Sequence, residues 1–219
     1  MRGIARTNVN WGWLAPMLLF LAAPAQALVL TFDPVNRNFE HVSQSYGDRV
    51  SATPQDGFSY GTEDGFTPNV EVDYGLLHEA VPALWTAGYG DLVNVLFEDH
   101  DGIGLLEVTF TADPGWNVAL HSFDMAAYSV VGPINSVSVR DGQGAILFAQ
   151  NSVSVPVSGH ATFSFDAALT GQVLILAFDS SNLGSQSDDV CFDNIRFSQF
   201  EAPVPVEPVT WGRIKALYR

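Results

Sequence analysis

Gly57-Phe58-Ser59-Tyr60-Gly61 carries the Gly-x-Ser-x-Gly spacing of a nucleophile elbow. That chemistry needs a strand turning sharply into a helix, so that backbone donors serve the reaction. Here the turn-rich stretch Thr62-Glu63-Asp64-Gly65-Phe66-Thr67-Pro68 follows, and no helix is expected. His78-Glu79 begins like a His-Glu-x-x-His zinc helix, but Pro82 stands where the second histidine belongs. The remaining histidines, His41, His100, His121 and His160, show no ligand-like spacing. Cys191 is the one cysteine, so neither an internal disulfide nor a thiolate zinc cluster can form. Lying between Val190 and Phe192 with no basic neighbour, it reads as a packing residue.

Oxygen ligands gather in three places. Glu98-Asp99-His100-Asp101-Gly102 alternates carboxylates ahead of a glycine, a fragment of a calcium loop. Asp179-Ser180-Ser181-Asn182 and Ser185-Gln186-Ser187-Asp188-Asp189 place three carboxylates and several hydroxyl or amide oxygens around one connection, and Asp193-Asn194 follows. Carboxylates held this closely repel unless a hard cation or an arginine neutralises them. Calcium is therefore the expected structural ion, with Asp179 and Asp189 among its ligands. The alternative for each cluster is a hydrated acidic loop.

The elements that must position these groups are strands. Period-two alternation marks residues 28–32, 70–74, 92–97, 105–111, 117–123, 136–140, 145–149, 161–165, 173–178 and 190–197. Each run is short, rich in Val, Phe, Ile and Thr, and bounded by Gly, Asp, Asn, Ser or Pro, which is the pattern of an antiparallel sandwich. Asp141-Gly142-Gln143-Gly144 between two such runs predicts a hairpin. Residues 76–85 could instead form a turn or two of helix, although Pro82 removes a backbone donor there. The inner faces are expected to hold Phe110, Leu120, Val137, Val139, Leu147, Leu174, Leu176 and Phe178. No repeat at a fixed period points to a propeller or solenoid.

The chain has 219 residues, 9 Lys+Arg against 24 Asp+Glu, and a formal charge of −15. An electrostatic grip on nucleic acid is thereby excluded. Hydrophobic residues make up 47%, enough for a sizeable core despite that charge. A basic start with Arg2 and Arg6, an apolar run over 14–23 and Pro24-Ala25-Gln26-Ala27 have the form of a secretory signal peptide, predicting a mature chain that begins near Leu28. That chain keeps 7 Lys+Arg, a charge of −17. The sandwich domain is expected over 28–200, followed by a proline-alternating spacer over 201–209. Residues 210–219 hold three cations and put Trp211, Ile214 and Leu217 at helical spacing, predicting a basic amphipathic tag, either a sorting signal or a membrane-surface anchor; the alternative is a disordered tail.

Asn38-Phe39-Glu40 and the closing run Phe192-Asp193-Asn194-Ile195-Arg196-Phe197 resemble the two ends of galactose-binding-like jelly rolls, the fold of many carbohydrate-binding modules. The resemblance implies Glu40 and Asp193 as ligands of a structural calcium. Tyr46-Gly47-Asp48-Arg49-Val50, Gly65-Phe66-Thr67-Pro68-Asn69-Val70, Trp85-Thr86-Ala87-Gly88-Tyr89-Gly90-Asp91-Leu92, Phe123-Asp124-Met125-Ala126 and Asp179-Ser180-Ser181-Asn182-Leu183-Gly184 resemble a group of secreted bacterial proteins that often end in a PEP-CTERM sorting signal. The chain departs from that pattern, since no apolar span follows Val206-Glu207-Pro208.

In a jelly roll, sugar binding needs aromatic platforms flanked by fixed polar groups, because a pyranose has an apolar face and a rim of hydroxyls. Trp85 and Tyr89, in a Gly-rich loop that ends in Asp91, are the expected ligand-binding residues, with Trp116 next. Capping of the core is the alternative use of each ring. The resulting expectation is a secreted, noncatalytic, calcium-stabilised module that binds extracellular or cell-envelope carbohydrate. A structural surface or matrix protein and a glycan-active enzyme are the rival readings.

Overall fold

The computed structural model describes residues 27–33, 38–51, 65–76, 82–98, 104–129 and 132–204. Twelve strands lie within them: β1 (Leu28–Leu30), β2 (Glu40–His41), β3 (Val70–Leu76), β4 (Ala83–Trp85), β5 (Val95–Phe97), β6 (Leu105–Ala112), β7 (Trp116–Ala127), β8 (Ile134–Asp141), β9 (Ile146–Val153), β10 (Ala161–Gly171), β11 (Val173–Asp179) and β12 (Val190–Glu201). They form two antiparallel sheets. One has the order β10-β7-β12-β5-β4-β2, with β1 also paired to β12, and the other the order β3-β6-β11-β8-β9.

The order itself gives the topology. Among the last eight strands, the first sheet holds the first, eighth, third and sixth side by side (β5-β12-β7-β10), and the second holds the second, seventh, fourth and fifth (β6-β11-β8-β9). Two interlocked Greek keys of this kind make a jelly roll. The fold is thus the all-β, antiparallel, jelly-roll sandwich expected from the alternation.

Alternation decides what lies between the sheets. In β6 every second residue, Leu106, Val108, Phe110 and Ala112, is buried, and in β11 Leu174 and Leu176 meet them. The facing sheet contributes Leu28, Leu30, Val118, Leu120, Phe123, Phe192, Ile195 and Phe197. Ring pairs bridge the sheets, Phe110 to Phe197 at 4.8 Å and Phe178 to Phe192 at 4.9 Å between centroids. Each of these buried Val, Leu, Ile and Phe side chains contributes about 1.5–3 kcal/mol of apolar burial.

The 141–144 hairpin is present: the Asp141 carboxylate accepts from the Gln143 and Ala145 backbone N–H groups at 2.9 and 2.8 Å. Two expectations are corrected. Leu147 is exposed, not inward, because Val139 pairs with Phe148 while Arg140 pairs with Ile146; Leu147 is the extra residue of a bulge, and Phe148 packs on the core in its place. The turn of helix over 76–85 is replaced by strand at both ends, Leu76 in β3 and Ala83–Trp85 in β4. Residues 57–61, His78-Glu79, Asp99, His100 and Asp101, and the tail beyond 204 lie outside the described residues.

Candidate functional site

The outer face of the β12-containing sheet is unusual in being apolar where water would normally lie. Along β12, Val190, Phe192 and Ile195 point into the sandwich, which leaves Cys191 and Asp193 on the outside. The same parity puts Ala126 and Asp124 of β7, Val95 and Phe97 of β5, and Ala83 and Trp85 of β4 on that face. The 86–94 connection between β4 and β5 folds over it and inserts Tyr89 and Leu92, making a second apolar cluster.

A pocket of about 150 Å³ opens at the edge of this cluster, lined by Phe39, Trp85, Tyr89, Phe97, Tyr128, Asp188 and Asp189. Four separate stretches of chain converge to make it. Trp85 is central: Phe39 (4.5 Å), Phe97 (5.9 Å) and Tyr128 (6.1 Å) all meet its ring edge-on. Phe39 is 62% exposed and Tyr128 50%, so apolar ring surface faces water. Asn38 locks the Phe39 turn to the Trp85 strand, its side-chain oxygen accepting from the Thr86 N–H and hydroxyl at 2.8 and 2.7 Å. Gly88, at φ +101°, lets the Cδ2–Cε2 edge of Tyr128 lie against the loop, since any Cβ there would fall 2.5 Å from that ring.

Of the residues expected to bind ligand, Trp85 and Tyr89 are brought together here. Tyr89 is a buried wall and not a platform: it is 3% exposed, and its hydroxyl donates to the Asp188 carbonyl at 2.9 Å. Burial, followed by nearby Cys191, Asp189 and Asp188, pushes that hydroxyl far above the ordinary tyrosine pKa, so it stays a donor. Asp91 points elsewhere and pairs with His160. Trp116 pairs with Glu201 at the opposite end of β7 from Tyr128, roughly 35 Å away along the extended chain.

The four expected metal ligands occupy four places. Glu40, Leu84, Leu96 and Phe192 lie in one row across the sheet, so Glu40 sits three strand spacings, about 14 Å, from β12 and on the face away from Asp193. Carboxylates that far apart cannot share one calcium, whose oxygen ligands stand about 2.3–2.6 Å from the ion. Asp179 accepts from the Ser181 N–H and hydroxyl and from Asn135, fixing the start of the short 3-10 helix Ser181–Gln186. Asp189 accepts from the Ser129 hydroxyl beside the aromatic pocket. Among the described residues no group of three or more His, Cys, Asp and Glu side chains is arranged to hold a metal. These residues do not fit one ion together.

Asp193 instead faces Asp124 across the β12–β7 pair. Asn194, in the bulge that follows with φ +48°, donates its N–H to Asp193 and its side-chain amide to Asp124. Thr162 donates to Asp124 at 2.6 Å, and His160 Nε2 lies 3.8 Å from the same carboxylate. Burial above all, with Asp33 and Asp124 adding, pushes the Asp193 carboxyl well above the usual carboxylate range. Cys191 is fully buried and its thiol is pushed up by that burial, which keeps it protonated and chemically inert.

The class defined by fold and site is a jelly-roll sandwich bearing an aromatic pocket on one outer face. No protein-family profile and no curated protein matches the chain. Among solved structures it is similar to an arabinose-bound GH51 α-L-arabinofuranosidase (11% identity over 80% of this chain, TM-score 0.35), of whose length it spans 30%. It is also similar to the CBM32-3 domain of a family 31 glycoside hydrolase from Clostridium perfringens (12% identity, 78% of this chain and 94% of that one, TM-score 0.29). The N-terminal CBM22 tandem domain from Paenibacillus barcinonensis is a third (14% identity, 85% and 50%, TM-score 0.32).

Proposed function

We propose that this chain is a secreted, noncatalytic carbohydrate-binding module whose ligand seat is the pocket around Trp85. The observation that carries this reading is the meeting of Phe39, Phe97 and Tyr128 edge-on around Trp85 beside Asp188 and Asp189. Partly exposed rings offer an apolar face to a pyranose, and adjacent carboxylates accept hydrogen bonds from its hydroxyls.

Glycan-array binding tests the reading. Trp85→Ala and Tyr128→Ala should each weaken binding more than about tenfold, as expected for aromatic anchors, while Trp116→Ala leaves it unchanged. Equal binding by all variants removes the pocket from the function. Secretion has its own check, N-terminal sequencing of exported protein, which should begin at Leu28. Deleting 205–219 should abolish attachment to the cell envelope, the role proposed for the basic tail, and leave glycan affinity intact.

A structural matrix protein is the second reading, favoured by the edge strand β9, which exposes Ile146 (69%) and Leu147. Concentration-dependent self-association lost in Ile146→Lys supports it; a monomer at all concentrations removes it.

A further inference from the structure

Bases are scarce in this chain, and the arginines Arg49 and Arg140 each answer acids, Glu71 and Asp113 for the first and Glu107 for the second. Arg196 of β12 is exposed and, among the described residues, forms no ion pair. Its charged neighbour is a second base. Burial first, and then Arg196, push the His121 imidazole below its ordinary pKa. Asp166, in the irregular stretch of β10 opposite this part of β7, forms no ion pair with either base. Two bases set together without an acid repel, and that repulsion turns to attraction when an anion binds to both.

A bulge makes the arrangement. Arg196 pairs with Ser122 and Phe197 with Leu120, so His121 is left unopposed. Because Leu120 and Phe123 both point into the sandwich, His121 and Ser122 both emerge on the outer face, where Arg196 and Ser198 lie on either side of the inward Phe197. His121 Nε2 and the hydroxyl of buried Ser198 are 2.8 Å apart, which fixes the ring. When Ser198 donates, the proton stays on Nδ1; neither that nitrogen nor the Ser122 hydroxyl has a partner among the described residues. A guanidinium recognises a planar carboxylate through parallel N–H bonds. We propose that Arg196, with His121 Nδ1 and the Ser122 hydroxyl beside it, is a seat for one carboxylate group, free or borne by a uronic acid sugar. The seat shares no residue with the Trp85 pocket and does not depend on the carbohydrate reading.

Calorimetric titration of the full chain with a galacturonic acid tetramer and its methyl ester tests the seat, because the ester keeps the sugar rings and loses the charge. At mildly acid pH the free acid should bind roughly tenfold or more tightly. Arg196→Gln should abolish that preference, whereas Trp85→Ala leaves it. NMR titration of His121 supplies a second readout: its midpoint should rise in the unliganded Arg196→Gln variant, which removes the neighbouring charge, and should rise in the wild type when the acid tetramer binds. The same rise with acetate assigns the seat to free carboxylates, and a rise with the tetramer alone assigns it to an acidic glycan; either supports the seat. A preference for the acid that survives in Arg196→Gln, or a His121 midpoint that neither the substitution nor the acids move, overturns it. Equal affinity of the wild type for acid and ester also overturns it and leaves the Trp85 reading standing.

Discussion

A Cβ placed on Gly90 would lie 1.9 Å from the carbonyl oxygen of Gly159, so these two backbones touch where the 86–94 loop meets the segment ahead of β10. Gly90 also has φ +58°, a conformation that costs any other residue. Gly90→Ala should therefore push the loop off the sheet, lowering stability by about 1–3 kcal/mol and weakening ligand binding through displacement of Tyr89. Thermal unfolding and glycan titration of the variant check both effects. An unchanged melting temperature would show that the loop does not dock on Gly159.

The next residues along tie the same two segments electrostatically. His160 Nδ1 lies 2.9 Å from Asp91 Oδ1, and this hydrogen bond raises the His160 pKa and lowers that of Asp91. A raised histidine pKa contributes stability that is complete below the unfolded value near 6.5 and is lost as pH rises through the folded one. A lowered aspartate pKa contributes stability present above about 3.8 and lost as pH falls through the folded value. The tie is thus strongest between about pH 4 and 6.5. Melting temperature measured across pH 5–8 should fall more for the wild type than for His160→Asn; parallel curves would mean that the pair carries no linked proton.

What could be read beforehand follows from where the physics is local. The β6 run Leu105–Ala112 alternates cleanly because each of its faces meets one environment, and its strand was visible in the sequence. Leu147 deceived because a bulge shifts parity by one residue, and a bulge depends on the partner strand. β4 was hidden because three residues carry no period, and Ala83–Trp85 is extended only by pairing with β5. The pocket was half legible. Trp85 and Tyr89 stood out in their Gly-rich loop, whereas Phe97 looked like any strand residue and Tyr128 lies beyond the end of β7. Phe39 had a signal, the Asn38-Phe39-Glu40 turn, but it was assigned to a metal through Glu40. The burial of Asp193 in a strand pair beside Asp124 cannot be inferred from Asp-Asn alone.

Tyr89→Phe separates the loop from the ring. The substitution keeps the apolar wall and removes one hydrogen bond, leaving the Asp188 carbonyl without that donor. A loss of ~0.5–1.5 kcal/mol in stability is expected from denaturant unfolding, with sugar affinity reduced less than threefold, since the hydroxyl faces the protein. A larger loss of affinity than of stability would place the hydroxyl on the ligand.

Asp193 supplies the clearest test of whether a cation belongs in this protein. Its carboxyl is buried beside Asp33 and Asp124, and burial raises its folded pKa well above 3.8. The sign follows: stability associated with this group is complete below the unfolded value, and is lost as pH rises toward the folded one, because ionisation in the fold costs more than in the open chain. At neutral pH the wild type therefore bears a penalty that Asp193→Asn lifts, while the amide keeps an oxygen to accept the Asn194 N–H. Melting should rise by a few degrees in Asp193→Asn at pH 7 and the two proteins should converge near pH 3. Calcium should leave both curves in place, since Glu40 lies about 14 Å away on the other face of the sheet. A lower melting temperature in the variant, together with a calcium-dependent rise in the wild type alone, would instead mean that Asp193 is ionised in the fold and held by a cation with Asp33 and Asp124.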